Sequence, residues 1–309
     1  MALLIIAPDV KVTSWLKHLH ALDPGIEIRV WPEVGDAGEI EFVLCWHHPP
    51  GELTKYKNLK CIASLGAGVD HLMRDPNLPG GVPVTRVVEH SMAQSMSEYV
   101  VLSTLNYCRH FDAYRSDQNQ RHWHPIRPRL AQDTHIGIMG LGQLGADAAK
   151  KLNTLGFTVY GWSRTLKNID GVHCFAGEDE RANFLSRSQI LICLLPLTPS
   201  TKGILNRKTF DQLPKGAYVI NVARGQHLIE NDLIEALDSG RLDGACLDVF
   251  EVEPLPAGHP FWSHPKIKVT PHISSITFPA AVAPQIIENY RRVQAGRPLL
   301  NVVDLNRGY

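Results

Sequence analysis

The stretch Ile136-Gly137-Ile138-Met139-Gly140-Leu141-Gly142-Gln143-Leu144-Gly145 joins an apolar, strand-like run to a helical pattern through spaced glycines. In such a G-x-G-x-x-G segment, Gly140 allows a tight turn and Gly142 lets the backbone approach a pyrophosphate. Gly145 permits close packing of helix on strand. A helix starting there offers unpaired N–H groups and a positive dipole end to phosphates. A glycine turn on its own is weak evidence, because a merely structural turn reads the same way. Here the strand before it, and the helix and second strand after it, are all present, so the segment predicts a dinucleotide site.

The second strand ends in Tyr160-Gly161-Trp162-Ser163-Arg164-Thr165-Leu166-Lys167. An NAD site usually carries Asp or Glu there, hydrogen-bonded to the ribose 2′-hydroxyl. Ser163 holds that position instead, and Arg164 and Lys167 follow. A small uncharged residue beside two cations suits a 2′-phosphate, so NADPH is the expected cofactor and NADH a weaker alternative. The bland alternative is a solvated basic turn.

Working outward, short apolar runs alternate with helical patterns along the whole chain. The first series is Leu3–Ala7, Glu27–Trp31, Phe42–Trp46, Cys61–Leu65 and Val82–Val87. The second is Thr134–Met139, Phe157–Trp162, Val172–Phe175, Gln189–Leu195, Ala217–Val222, Gly244–Val249 and Ile267–Thr270. Such alternation reads as βαβ units around parallel sheets, hence two α/β domains. Between the series, from about Ser91 to His122, there is no strand signal, proline or glycine, which predicts one or two long helices. The polar tail Asn119–Arg129, with His122, Trp123 and His124, reads as a loop. A further helix is expected near Pro279–Ala295, after which apolar Leu299, Leu300, Val302 and Val303 return to the first domain.

Composition removes whole classes. The 309 residues carry 31 Lys+Arg against 31 Asp+Glu, which argues against a nucleic-acid binder. Apolar runs such as Ala2–Ala7 and Ile190–Leu195 reach six residues, far short of the ~20 of a membrane span. The first of them stops at Pro8-Asp9 without a basic region before it, so no secretory signal is expected. Six cysteines without a C-x-x-C pair fit reduced, buried thiols in a cytoplasmic protein. No metal ligand is assigned.

Three strand ends carry candidate chemistry: Asn221-Val222-Ala223-Arg224-Gly225, Leu247-Asp248-Val249-Phe250-Glu251-Val252-Glu253-Pro254, and Val269-Thr270-Pro271-His272-Ile273-Ser274. Each has an ordinary reading taken singly: a paired arginine, solvated acids, a satisfied histidine. Together with Gly140–Gly145 and Ser64-Leu65-Gly66-Ala67-Gly68-Val69-Asp70, they resemble the signatures of the D-2-hydroxyacid dehydrogenases, in the family's order and over the whole chain. Within that family the chain is most similar to the bacterial glyoxylate/hydroxypyruvate reductases. The shared details are Trp46-His47, Trp162–Thr165, Asn183-Phe184-Leu185-Ser186, Leu255-Pro256 and the terminal Arg307-Gly308-Tyr309.

The resemblance implies two doubly wound parallel-sheet domains joined by long crossover helices. One is a flavodoxin-like substrate domain over 1–99 plus 278–309, the other a Rossmann cofactor domain over 100–277. It further implies that Arg224 holds the substrate carboxylate and polarises its C2 carbonyl, and that His272 gives a proton to the C2 oxygen. Glu253 would pair with His272, since a neighbouring carboxylate favours an imidazolium. Backbone N–H groups of Ala67 and Gly68 would bind the substrate carboxylate, with Trp46 walling the pocket. Cofactor contacts would come from Gly140, Leu141, Gly142, Gln143, Leu144, Gly145, Ser163, Arg164, Lys167, Leu195, Pro196 and Ala223. Asp248 would take the nicotinamide carboxamide. Met92 and Met96 read as core. The pattern departs at Phe278, where the type carries Arg, and no role is carried onto it.

The expected activity is therefore reduction of a small 2-oxo acid, glyoxylate or hydroxypyruvate, to glycolate or D-glycerate, by a homodimer joined through the long helices. Two rivals are another dehydrogenase of the family and a nucleotide-sensing corepressor built on the same fold. A phosphoglycerate dehydrogenase often carries an added regulatory domain, for which these residues leave no room, and formate oxidation would favour an acidic residue at 163. The corepressors keep the Arg–Glu–His set, so that set does not separate them; long disordered tails, which they carry, are missing here.

Overall fold

The computed structural model describes residues 1–305 and 307. Of the terminal motif, Gly308-Tyr309 lie outside the described residues. The chain forms two compact units, Met1–Ser91 with Thr277–Tyr309, and Met92–Ile276.

The first unit holds strands β1 (Ala2–Ile6), β2 (Ile28–Val30), β3 (Ile40–Cys45), β4 (Cys61–Ser64) and β5 (Val84–Thr85). They are parallel in the order β2-β1-β3-β4-β5, the flavodoxin-like arrangement. β1 is buried along its whole length, as a central strand covered on both faces must be, which is why it reads as a continuous apolar run. The Pro279–Gln294 helix belongs to this unit. After it the chain is held by Asn289, which is fully buried and pairs with both the N–H and the C=O of Leu300. Val303 then donates to the carbonyl of Val84, so the C-terminal segment returns to β5 as expected.

The second unit holds β6 (His135–Met139), β7 (Thr158–Ser163), β8 (Val172–Ala176), β9 (Ile190–Cys193), β10 (Ala217–Asn221), β11 (Leu242–Leu247) and β12 (Ile267–Val269). The parallel order β12-β11-β10-β9-β6-β7-β8 reverses direction between β6 and β9. Ligands of doubly wound sheets bind at such a switch point, and the glycine loop follows β6 there. Two apolar clusters cover this sheet, one around Phe184, Phe210 and Phe261 and the other around Ile138, Val159 and Ile220.

The unit boundary falls at 91/92 and 276/277, earlier than the expected 99/100 and 277/278. The reason lies in the His90–Cys108 helix, whose Met96 and Val100 are buried in the second unit's core with Ile136 and Ala148. The strand-free segment forms two helices, His90–Cys108 and Phe111–Gln120, because His110 takes a left-handed conformation (φ 57°) between them.

Candidate active site

In the second unit, the glycine loop is shaped as its sequence demands. Gly140 has φ +102°, a backbone conformation open to glycine, and a Cβ there would lie 2.6 Å from the carbonyl oxygen of Leu194. A Cβ at Gly145 would stand 1.9 Å from the carbonyl oxygen of Gly140, so helix and loop touch through glycine alone. Gly142 faces open space. The helix Gln143–Thr154 starts at Gly142 without a side-chain cap and without an acid in its first turn. Its N-terminal N–H groups are thus left to an anion. Leu141 is buried against Gly161, and Gln143 is exposed beside it. These features fit a dinucleotide pyrophosphate.

Ser163 ends β7 as expected, but it is buried and its hydroxyl donates to the Thr165 carbonyl at 2.8 Å. That hydroxyl is therefore engaged in shaping the turn, while Arg164 and Lys167 are exposed on it. Leu195 is buried and Pro196 half-buried just past β9, where the Pro196 carbonyl accepts from Thr201 and lies 3.3 Å from His227 Nε2.

The reacting set sits past β10, β11 and β12. Asn221 is buried at the end of β10; its amide donates to the Arg224 carbonyl and its oxygen accepts from the Ala223 N–H. Gly225 lies directly against the next loop, since a Cβ on it would stand 1.8 Å from the carbonyl carbon of Phe250. That contact brings Arg224 toward the Glu253 loop. Arg224 is half-buried, with Nη1 donating to the Ala223 carbonyl at 2.6 Å.

His272 Nδ1 lies 2.7 Å from Glu253 Oε2, and Glu253 Oε1 accepts from the Phe250 N–H at 2.9 Å. Both side chains remain about a third exposed, so the pair is open to a small molecule. With Nδ1 held by the carboxylate, Nε2 is the nitrogen left for chemistry. Burial alone would push the Glu253 carboxyl upward. The His272 hydrogen bond, the Phe250 N–H and the positive charges of His272 and Arg224 outweigh it, so the carboxyl is held below the ordinary range.

Asp248 has a task the sequence did not disclose. It is fully buried; Oδ1 accepts from Thr270 Oγ1 at 2.5 Å and from the Ile273 N–H at 2.9 Å, and Oδ2 accepts from the Ser274 N–H at 2.8 Å. Its carbonyl accepts from the His272 N–H. The carboxylate expected to reach a carboxamide is thus the anchor of the histidine loop. Tyr99, from the His90–Cys108 helix, extends the network with its hydroxyl 2.5 Å from Thr270 Oγ1. Thr270 was within the quoted motif, but Tyr99 had no signal beyond a polar aromatic on an apolar helix.

In the first unit, Trp46 follows β3 and lies across Gly66, where a Cβ would stand 2.8 Å from the indole. It also packs on His71 at 4.5 Å between ring centroids. Ala67 and Gly68 are half-buried at the carboxyl end of β4, in a turn shaped by Ser64, whose hydroxyl accepts from the Gly66 N–H and donates to the Gly68 carbonyl.

A parallel sheet with this glycine loop at its switch point, and an arginine, a glutamate and a histidine past neighbouring strands, has the build of a dinucleotide-dependent oxidoreductase. The chain belongs to the D-isomer specific 2-hydroxyacid dehydrogenases, whose NAD-binding-domain model matches residues 101–274. It is 43% identical to glyoxylate/hydroxypyruvate reductase A of Yersinia enterocolitica and 44% identical to that of Serratia proteamaculans, covering 100% of each chain in both cases. Among solved structures, it matches a D-isomer specific 2-hydroxyacid dehydrogenase from Xanthobacter autotrophicus in complex with NADPH and MES. The TM-score is 0.95 at 43% identity, covering 100% of this chain and 99% of that one. An NADPH-dependent glyoxylate/hydroxypyruvate reductase from Sinorhizobium meliloti, in complex with NADP and sulfate, matches with TM-score 0.93 at 35% identity over 100% and 99%.

The Glu253 environment predicts a pH-dependent contribution to stability. A carboxyl whose folded pKa lies below its unfolded value stabilises above the unfolded value and loses that contribution as pH falls through the folded one. Glu253→Gln should therefore lower Tm at pH 6, and the difference from the unsubstituted protein should shrink as the pH falls below about 4.3 and vanish only below the lower folded value. Thermal melts across pH 3–7 check this, and a difference that grows on acidification would contradict the pairing.

Proposed function

We propose that this protein reduces a small 2-oxo acid, glyoxylate or hydroxypyruvate, to the 2-hydroxy acid with NADPH. The observation that carries the reading is the 2.7 Å pair of His272 and Glu253, in the same unit as Arg224 and the glycine loop. The full-length similarity to reductases of these two acids supports the substrate class. Trp46, Ala67 and Gly68 would supply the substrate wall and carboxylate contacts from the first unit, making it the substrate domain and the second the cofactor domain. In line with no helix among the described residues being long and apolar enough to cross a membrane, we place the protein in the cytoplasm.

When bound, the nicotinamide supplies a hydride to C2 of the 2-oxo acid. Arg224 presents a planar fork to the substrate's carboxylate and C2 oxygen, matching two oxygens at once. His272, charged and held through Nδ1 by Glu253, delivers the Nε2 proton to the C2 oxygen, leaving neutral imidazole and a hydroxyl. Glu253 keeps the ring oriented through the transfer and stabilises its charge before it. Asp248 and Thr270 keep the loop in place.

His272→Ala should lower kcat by about 10²–10⁴-fold while NADPH binding survives. Arg224→Ala should raise KM and lower kcat together. Loss of NADPH absorbance with glyoxylate and hydroxypyruvate measures both, and an unchanged kcat in the His272 variant would remove it from the mechanism.

The cofactor preference rests on the turn after β7. With the Ser163 hydroxyl engaged by Thr165, discrimination falls to the cations at 164 and 167 and to the absence of an acid at 163. One charged hydrogen bond contributes about 1.5–3 kcal/mol, or roughly 10–150-fold. NADPH should exceed NADH by at least about tenfold in kcat/KM, less at high salt. Arg164→Ala should remove most of the preference, and Ser163→Asp should reverse it. Equal rates with both cofactors in the unsubstituted protein would show the turn to be a solvated surface.

We further propose a homodimer through the two connecting helices and the loop after them. Along this apolar-rich segment, Val100 is buried within the unit, Tyr99 bonds Thr270 and Tyr107 stacks on Tyr218 at 4.1 Å. Leu102, Leu105, Phe111, Tyr114 and Trp123 remain exposed, Trp123 by 94%. Their burial should produce a dimer with roughly 2,000 Å² or more of covered surface. Light scattering at micromolar concentration tests it, and a monomer would refute it.

A further inference from the structure

Outside the dehydrogenase site, Asp117, His122 and His124 bring one carboxylate and two imidazoles together, each offering a ligand atom within 4.8 Å of the others. The local chain explains how. The Phe111–Gln120 helix ends where Arg121 turns left-handed (φ 55°), and the His122 N–H returns to the Asp117 carbonyl at 2.8 Å. The reversal lays the next residues back over the last helical turn, and a single residue, Trp123, separates the two histidines. Their rings stack, with centroids 5.4 Å apart. The rest of the loop is tied down independently: the Tyr114 hydroxyl bonds both the N–H and the C=O of Ile126, and His110 Nε2 lies 3.1 Å from the Arg127 carbonyl.

We infer that Asp117, His122 and His124 form a binding site for one divalent cation of the zinc type. Three observations carry this. First, the two imidazole nitrogens approach the carboxylate to 3.4 Å (His122 Nδ1 to Oδ1) and 3.6 Å (His124 Nδ1 to Oδ2). Those distances exceed the 2.7–3.2 Å range of an N–H···O bond. They match the separation of about 3.3–3.6 Å that tetrahedral geometry gives two ligands each about 2.0–2.2 Å from a shared metal. Second, Asp117 Oδ2 is shielded from solvent and has no hydrogen-bond partner among the described residues, an arrangement that is unfavourable for a carboxylate unless a cation neutralises it. Third, the cluster lies at a helix C-terminus, where the dipole favours positive charge.

The donor set of two nitrogens and one oxygen selects Zn²⁺, with Ni²⁺ or Cu²⁺ able to substitute, over Mg²⁺ or Ca²⁺, which take oxygen ligands. Three protein ligands leave a fourth position for water. The bound ion would clip the 122–124 loop onto the end of its helix, alongside the exposed Trp123. None of these three residues belongs to the proposed reacting set.

The test uses the full-length chain without an affinity tag, stripped with chelator, and titrated with ZnCl₂ by calorimetry and by thermal shift. One Zn²⁺ per chain at micromolar affinity, with a rise in Tm, is expected; MgCl₂ should do neither. His122→Gln/His124→Gln should abolish this stoichiometric binding and Asp117→Asn should weaken it at least tenfold, with 2-oxo acid reductase activity unchanged in both. As a control on folding, the single variant His124→Gln should keep the metal-free Tm of the unsubstituted protein and still lose most of the Zn²⁺ affinity. No Zn²⁺ uptake, or uptake undiminished in the double histidine variant, would overturn the assignment and leave a carboxylate placed between two imidazole rings.

Discussion

The buried carboxylate of Asp248 is the constraint on which the reacting geometry depends. His272 sits at φ 53°, a left-handed conformation that is uncommon for a residue with a side chain and carries a penalty of order 1–3 kcal/mol. Such a conformation persists only where its surroundings determine it. Asp248 does so from one point: its carbonyl takes the His272 N–H while its carboxylate takes the next two N–H groups and the Thr270 hydroxyl. The imidazole is thereby aimed at Glu253 by backbone contacts rather than by packing of the ring, which leaves the ring open on its other side.

The same logic of backbone constraint runs through the other loops. Parallel strands all end on the same side, so every connection past β6, β9, β10, β11 and β12 crowds one edge of the sheet. Crowding is resolved by glycine where two backbones must touch, at Gly140 against Leu194 and at Gly225 against Phe250. It is resolved by a buried amide or carboxylate where a turn must be held, at Asn221 and Asp248. The reactive side chains themselves need little support beyond that frame.

The twelve strands of the described residues were legible in the sequence, most clearly the central ones, because parallel strands covered on both faces read as uninterrupted apolar runs such as Leu3–Ala7 and Ile190–Leu195. The glycine loop was legible because Gly140 and Gly145 stand in contacts that no side chain can enter, while Gly142 leaves the space before the helix open. The structural task of Asp248 was not legible, because an acid just past a strand looks the same in sequence whether it faces a ligand or also holds the following loop. Only the fold shows the N–H groups of 273 and 274 converging on it. The Ser163 hydroxyl was hidden in the same way, its partner being a carbonyl two residues on. The boundary at 91/92 was missed because the His90–Cys108 helix is apolar on more than one face, and periodicity cannot say which unit claims it.

Electrostatics follows the same local plan. With 31 basic and 31 acidic residues, the chain has no net charge to draw an anion from a distance, and charges farther apart than about 8–10 Å are screened at physiological salt. Recognition of anionic ligands must then rest on cations placed at the point of contact. Arg224 stands half-buried past β10, and Arg164 is exposed on the turn past β7. Glu253 is turned to His272 and to the Phe250 N–H. An acid that leaned on Arg224 instead would compete with a substrate carboxylate for its fork. Both Glu253 oxygens are engaged within the second unit, one by the histidine and one by the backbone of its own loop.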